Sequence, residues 1–220
     1  MRPQTTSHPA PQTGTFSFSK KALARADKIL SRYPEDRKAS GILPLLDLAQ
    51  RENGGWLSQE AQDYVAKLCE VAPIRVYEVA SFYTMFYTQP VGQHVVQVCR
   101  TTTCWLKGAD DLTACAKKKL NLDLGETSGD GKFTLIEVEC LGACANAPMV
   151  QINDDYYEDL TVEKLGAILD NLAAGKKTKA GSQTKRLGSA PEGGATTLVD
   201  FDVCENKTKK LADFTLPEAN

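Results

Sequence analysis

Histidine is scarce in this chain: His8 and His94 are the only two. An iron centre that needs a pair of imidazole ligands therefore has almost no material to be built from. No apolar run approaches the roughly 18 to 20 residues that a bilayer span requires, so any membrane association passes through another protein. The net charge of −2 is too small to draw the chain to a nucleic acid. Nucleotide fingerprints are missing too. Gly129-Asp130-Gly131 lacks the third glycine of a dinucleotide-binding turn, and Gly131-Lys132 lacks the upstream glycine and the hydroxyl residue of a P-loop. The first nineteen residues carry no acid and lack the apolar core of a secretory signal, so none is expected there. With Arg2 as the only arginine there, a mitochondrial presequence would be a poor one, and a disordered bacterial N-terminus is expected over residues 1–17.

Cysteine, by contrast, is concentrated. Four of the seven cysteines form two close pairs, Cys99 with Cys104 and Cys140 with Cys144, spaced C-x4-C and C-x3-C with thirty-five residues between. An odd total with four residues at ligand spacing fits a reducing compartment better than a disulfide scaffold. Spacing alone leaves several chemistries open: an iron–sulfur cluster, a zinc ion, two redox disulfides, or buried core thiols. Thiol–disulfide exchange favours C-x-x-C, which neither pair has. Thr101, Thr102 and Thr103 offer hydroxyl and amide donors in a loop beside sulfur, and Gly142, Ala143 and Ala145 let backbone approach a bulky inorganic core. Cys69 reads as a core residue, Cys115 as an inert mid-helix thiol, and Cys204 is remote from both pairs.

Apolar periodicity divides the rest of the chain. Over 18–90, four short helices are expected to form a bundle. The first carries Ala22, Leu23, Ala26, Ile29 and Leu30 and stops at Pro34. The second begins between Arg37 and Pro44, with Pro44 at a kink or in its first turn, and ends at Asn53-Gly54-Gly55. Ser58 caps the third, and Pro73 opens the fourth. The aromatic run Phe82 to Tyr87 reads as packing between this bundle and the sheet domain after it, with a partner-facing hot spot as the alternative. Over 91–175, strands at 94–98, 133–139, 149–152 and 156–159 and helices at 106–120 and from Thr161 onward give the order βαβββα. Such an order is that of a thioredoxin-like fold, with each cysteine pair at a strand end. From 176 to 220 apolar periodicity vanishes and eight basic residues face six acidic ones, so a flexible or partner-docked tail is expected, with Thr197 to Phe201 as a docking segment.

The strings VCRTTTCWLKGADDL and EVECLGACANAPMVQINDDYYEDLT, with VYEVASFYTMF upstream, resemble the thioredoxin-like [2Fe-2S] subunit family of respiratory complex I, the bacterial E subunit or mitochondrial 24 kDa subunit. The match runs from about residue 16 to about residue 175. Two positions depart from the family's pattern: Arg100, where a small or hydroxyl residue is usual, and Thr103, where proline is frequent. A cation beside Cys99 should favour the reduced, more negative cluster.

The resemblance implies an α+β chain in which Cys99, Cys104, Cys140 and Cys144 bind a [2Fe-2S] cluster. It also implies an electron-transfer subunit of NADH:quinone oxidoreductase, with no NADH site of its own. FMN and NADH belong to a partner subunit, and further complex I subunits are partners as well. The implied location is cytoplasmic, peripheral on the inner face of the bacterial inner membrane, or alternatively the matrix side in mitochondria. Other readings are the equivalent subunit of an NAD-linked hydrogenase or formate dehydrogenase, and a non-redox zinc-stapled scaffold.

Overall fold

The Ser19 hydroxyl accepts a hydrogen bond from the Ala22 amide at 3.2 Å and so starts α1 (Lys20–Leu30). The computed structural model describes residues 14–191, 193 and 194. A 3-10 segment (Glu35–Gly41) leads into α2 (Ile42–Glu52), where Pro44 lies in the first turn and its missing N–H leaves no gap. Ser58 caps α3 (Gln59–Cys69) through the Ala61 amide, and Pro73 opens α4 (Pro73–Phe82). These four helices share one core, which includes Leu45, Leu46, Leu57, Val65, Val76 and Phe86.

A five-stranded sheet comes next: β1 (His94–Cys99), β2 (Phe133–Val138), β3 (Val150–Ile152), β4 (Asp155–Glu158) and β5 (Gly181–Ser182), in the order β2-β1-β3-β4-β5. β1 and β2 run parallel, with His94 opposite Phe133 and Cys99 opposite Val138. Gly92 makes their approach possible, because a Cβ there would stand 2.6 Å from the Phe133 carbonyl carbon. β3 and β4 form a hairpin, with Asn153 in the left-handed region at φ 55°. Between β1 and β2 the chain crosses over through α5 (Thr102–Leu106) and α6 (Ala109–Leu120), and α7 (Val162–Ala173) follows β4 behind a Thr161 cap. Val96, Val98, Leu135 and Val150 pack with Leu112 of α6 and with Leu165 and Leu169 of α7. Strand alternation turns Val95, Gln97 and Gln151 the other way, into a cleft of about 1160 Å³ that α2 and the 84–87 segment also line. Arg51 spans this side, donating to both carboxylate oxygens of Asp154 at 2.8 and 3.1 Å.

Three expectations change. The helix expected over 106–120 is two helices, broken at Gly108 (φ 95°), and Cys104 lies in the first of them rather than in a loop. The sheet extends past residue 176, since Gly181 and Ser182 pair with Tyr157 and Glu158, a link too short to leave a periodic signal. Residues up to Gln183 form one compact unit that takes in both the helices and the sheet. The aromatic run does not pack as a block: Phe86 is 1% exposed, whereas Phe82 is 77% exposed and Met85 53%. Residues Thr197 to Phe201, Cys204 and His8 lie outside the described residues.

Candidate metal centre

Parallel strands that start together also end together, and here the ends carry sulfur. Cys99 is the last residue of β1, and Cys104 follows one helical turn later in α5. β2, hydrogen-bonded alongside β1, ends at Val138 and hands the chain to Cys140, while Cys144 opens a 3-10 turn (Cys144–Asn146). The fold thus brings all four cysteines expected from the sequence to one end of the sheet.

They differ in exposure. Cys99 and Cys104, at 2% and 1%, belong to a small buried patch with Ala109 and Met149, while Cys140 and Cys144 are exposed. The Cys140 and Cys144 sulfurs lie 3.6 Å apart. Two thiolates on one tetrahedral metal with bonds of about 2.3 Å would stand about 3.8 Å apart, so this pair already has the bite of a shared ion. Among the described residues, no three His, Cys, Asp or Glu side chains gather around a single ion-sized point. The thiols are two adjacent pairs instead.

Electrostatics couples the pairs. Burial pushes the Cys99 thiol up, but donors from the Thr101 hydroxyl and amide, the Leu141 amide and the Cys104 thiol outweigh it and hold Cys99 below its ordinary value. Cys104 is pushed up to about 12 by burial and by the Cys99 sulfur, with Cys144 adding to the effect. The Gly142 amide, 3.4 Å from the Cys140 sulfur, is the main cause that lowers Cys140, and Thr101 contributes from the other pair. Cys144 is raised, first by Cys140, while the Thr103 hydroxyl opposes the shift. Hydroxyl and amide donors therefore aim at sulfur as the threonines suggested, and the Gly142 amide adds one that was not expected. Arg100 behaves differently from the isolated cation expected: it donates to Glu137 at 2.8 Å, so the pair presents little net charge to Cys99.

The remaining described cysteines stand apart from the site. Cys69 is buried in the helical core, where desolvation raises it to about 11, and the Cys115 sulfur lies 3.6 Å from the Val162 carbonyl. The His94 ring packs on Phe133 at the opposite end of β1.

Sequence reasoning missed Tyr156, whose hydroxyl donates to the Leu141 carbonyl at 2.8 Å, and Asn146, whose amide donates to Glu158 at 2.8 Å. The alternation of Tyr156 and Tyr157 was a usable signal, since Tyr157 is 3% exposed in the sheet core and its neighbour has to face the cysteine loops.

Comparison with known proteins agrees with this geometry. Residues 26–173 match the family model described as thioredoxin-like [2Fe-2S] ferredoxin. The chain is 59% identical over 157 residues to the E subunit of the NADH-quinone oxidoreductase of Rickettsia bellii (strain RML369-C), covering 71% of this chain and 94% of that one. It is 50% identical over 185 residues to the mitochondrial NADH dehydrogenase [ubiquinone] flavoprotein 2 of Dictyostelium discoideum, covering 84% of this chain and 75% of that one. Among solved structures, an NAD+-reducing [NiFe]-hydrogenase in the air-oxidized state superimposes with a TM-score of 0.56 at 19% identity, over 65% of this chain and 24% of the hydrogenase chain, a likeness of fold. A mixed helix-and-sheet fold, four thiols meeting at one sheet end and this extended likeness lead to one conclusion: the chain belongs to the thioredoxin-like [2Fe-2S] ferredoxin family, with a [2Fe-2S] cluster as its cofactor.

Proposed function

We propose that this chain is the [2Fe-2S] electron-transfer subunit of an NADH:quinone oxidoreductase, with Cys99 and Cys104 holding one iron and Cys140 and Cys144 the other. The observation that carries the reading is the meeting of two thiol pairs, one with a 3.6 Å bite, at the shared end of β1 and β2. Two adjacent pairs suit two bridged metal ions better than one zinc ion, which needs its four donors around a single point. The cluster supplies one-electron uptake and release, at a potential nearer the roughly −400 mV of all-cysteine ferredoxins than that of histidine-ligated centres.

The protein's part is to hold sulfur and set its surroundings. Thr101, Thr103 and Gly142 direct donors at the sulfurs, and the buried first pair keeps water from half of the centre. In this reading NADH and the flavin are bound by a partner subunit, since the sequence offers no nucleotide fingerprint. The chain is peripheral, held at the membrane by its partners; no described helix is long and apolar enough to cross one. The helical bundle over 18–90 provides contact surface, the thioredoxin-like domain over 91–175 carries the cluster, with Gly181 and Ser182 extending its sheet, and the rest of the 176–220 tail docks on a partner. The hydrogenase-type alternative rests on fold likeness alone, while relatives at 50% and 59% identity are named as NADH dehydrogenase and NADH-quinone oxidoreductase subunits.

EPR of the dithionite-reduced chain, with iron and sulfide quantified, tests the reading. A rhombic signal from two irons and two sulfides per chain is expected. Cys99→Ser and Cys144→Ser should lose the visible absorption of the native centre, and Cys115→Ser and Cys204→Ser should keep it. Colourless protein containing zinc, or equal loss in all four variants, would refute the assignment.

A further inference from the structure

We propose that the Tyr156 hydroxyl is a positioning group for the cysteine loop: by donating to the Leu141 carbonyl, it aims the Gly142 amide at the Cys140 sulfur. This rests on the reading of Cys140 as a cluster ligand and assigns a role to a hydroxyl whose hydrogen bond goes to the main chain.

The two tyrosines of β4 point to opposite faces. Tyr157 sits in the core between the sheet and its helices, with its hydroxyl 2.6 Å from that of Thr178. Tyr156 packs instead against the buried patch of Cys99, Cys104, Ala109 and Met149, and its hydroxyl reaches the Leu141 carbonyl at 2.8 Å. The Leu141 carbonyl and the Gly142 N–H belong to one peptide unit, which is planar and turns as a piece. Anchoring the oxygen therefore orients the hydrogen, and the Gly142 nitrogen lies 3.4 Å from the Cys140 sulfur.

Leu141 and Ala143 pack on the same buried patch, but between them the Gly142 side of the plane is open. Gly142 adopts φ 83°, and a Cβ built on it would meet nothing within 4 Å, so no packing on that side restrains the loop. The tyrosine ring, by contrast, is half-buried on a strand paired to β3, and β3 is paired to β1. The hydroxyl thus ties an exposed loop to the rigid sheet. The Leu141 amide, on the preceding peptide, is directed at the Cys99 sulfur, so the same anchor steadies donors to a ligand of each pair. Donors to sulfur stabilise the more negative, reduced state of a cluster. Without the anchor, the centre becomes harder to reduce.

The test compares Tyr156→Phe with Tyr157→Phe in the full chain carrying its cluster, by EPR-monitored redox titration, resonance Raman of the iron–sulfur stretches, and iron and sulfide content. Tyr156→Phe is expected to keep its iron and sulfide, while the one-electron equilibrium shifts toward the oxidised form by roughly threefold to tenfold, tenfold being 59 mV. The Raman bands should shift with it, and Tyr157→Phe should match the wild type in both. Replacing Tyr156 with 3-fluorotyrosine, a stronger donor of the same shape, should move the midpoint in the opposite direction. An unchanged midpoint in loaded Tyr156→Phe, or an equal shift in Tyr157→Phe, overturns the proposal. If Tyr156→Phe does not take up the cluster, the fluorotyrosine chain decides, and an unmoved midpoint there overturns it equally. Absence of iron and sulfide from the wild-type chain is a different result, which would sink the ligand assignment and the proposal with it.

Discussion

Phe82 and Phe86 lie four residues apart in one aromatic run, yet the structure assigns them opposite weights, and truncating each to alanine measures the difference. Phe86 is 1% exposed within the helical core, so Phe86→Ala loses the transfer free energy of a buried ring and leaves a cavity. The transfer part is about 1.5–3 kcal/mol, and the cavity brings the total to about 3–5 kcal/mol. Phe82 is 77% exposed, with one edge-on ring contact to Tyr83 at 5.1 Å, so Phe82→Ala should change stability by less than about 1 kcal/mol. Urea unfolding followed by tryptophan fluorescence separates the two. Trp56 is a suitable reporter, because the next residue, Leu57, donates its amide to the Tyr87 carbonyl at 2.7 Å. With a slope of about 2–3 kcal/mol per molar urea, the Phe86→Ala midpoint should fall by roughly 1–2.5 M and that of Phe82→Ala by less than about 0.5 M. Midpoints that fall equally would mean that the run packs as a block after all.

Gly92→Ala drives a methyl group into the Phe133 backbone, where the nearest atom is 2.6 Å away, and should cost about 1–3 kcal/mol in a melting experiment; unchanged stability would show that the strands yield freely. Asp154 is held below its ordinary value of about 3.8 by Arg51, so its contribution is present above that value and is lost as pH falls through the lowered one. Asp154→Asn should therefore be less stable than the wild type near neutrality, by no more than about 1 kcal/mol for so exposed a pair, and the gap should close as pH falls through the lowered value; a gap that persists in strong acid would refute the pairing. Glu137→Gln leaves the Arg100 charge beside Cys99 without its carboxylate and should raise the cluster midpoint by up to about 59 mV; a lowered midpoint in redox titration would contradict that sign.

Helix starts were legible where their determinants are local: Ser58 and Thr161 cap, and Pro73 opens, where their chemistry requires. The gathering of the four cysteines was legible because each pair follows a strand end, whereas spacing alone left several chemistries open and only the resemblance to a family chose among them. Three features were not, each because it depends on partners distant in the chain. The Arg100–Glu137 pair joins residues thirty-seven apart, and the two-residue β5 has no pattern until β4 lies beside it. Exposure along the 82–86 run depends on where α4 ends, which composition does not reveal. Tyr156 was within reach of sequence reasoning, since strand parity separates it from Tyr157, but its acceptor is a main-chain oxygen that no side-chain pattern marks.

The parallel pairing of β1 with β2 also constrains biogenesis. Each half of the sulfur cradle is local, but the halves meet only after the chain has run through α5 and α6 and laid its second strand beside the first. Iron delivered to a nascent chain before that crossover closes would find two thiols instead of four. With the proposed ligand set, loading is a late event, and any donor of an intact cluster has to meet a polypeptide whose sheet is already built.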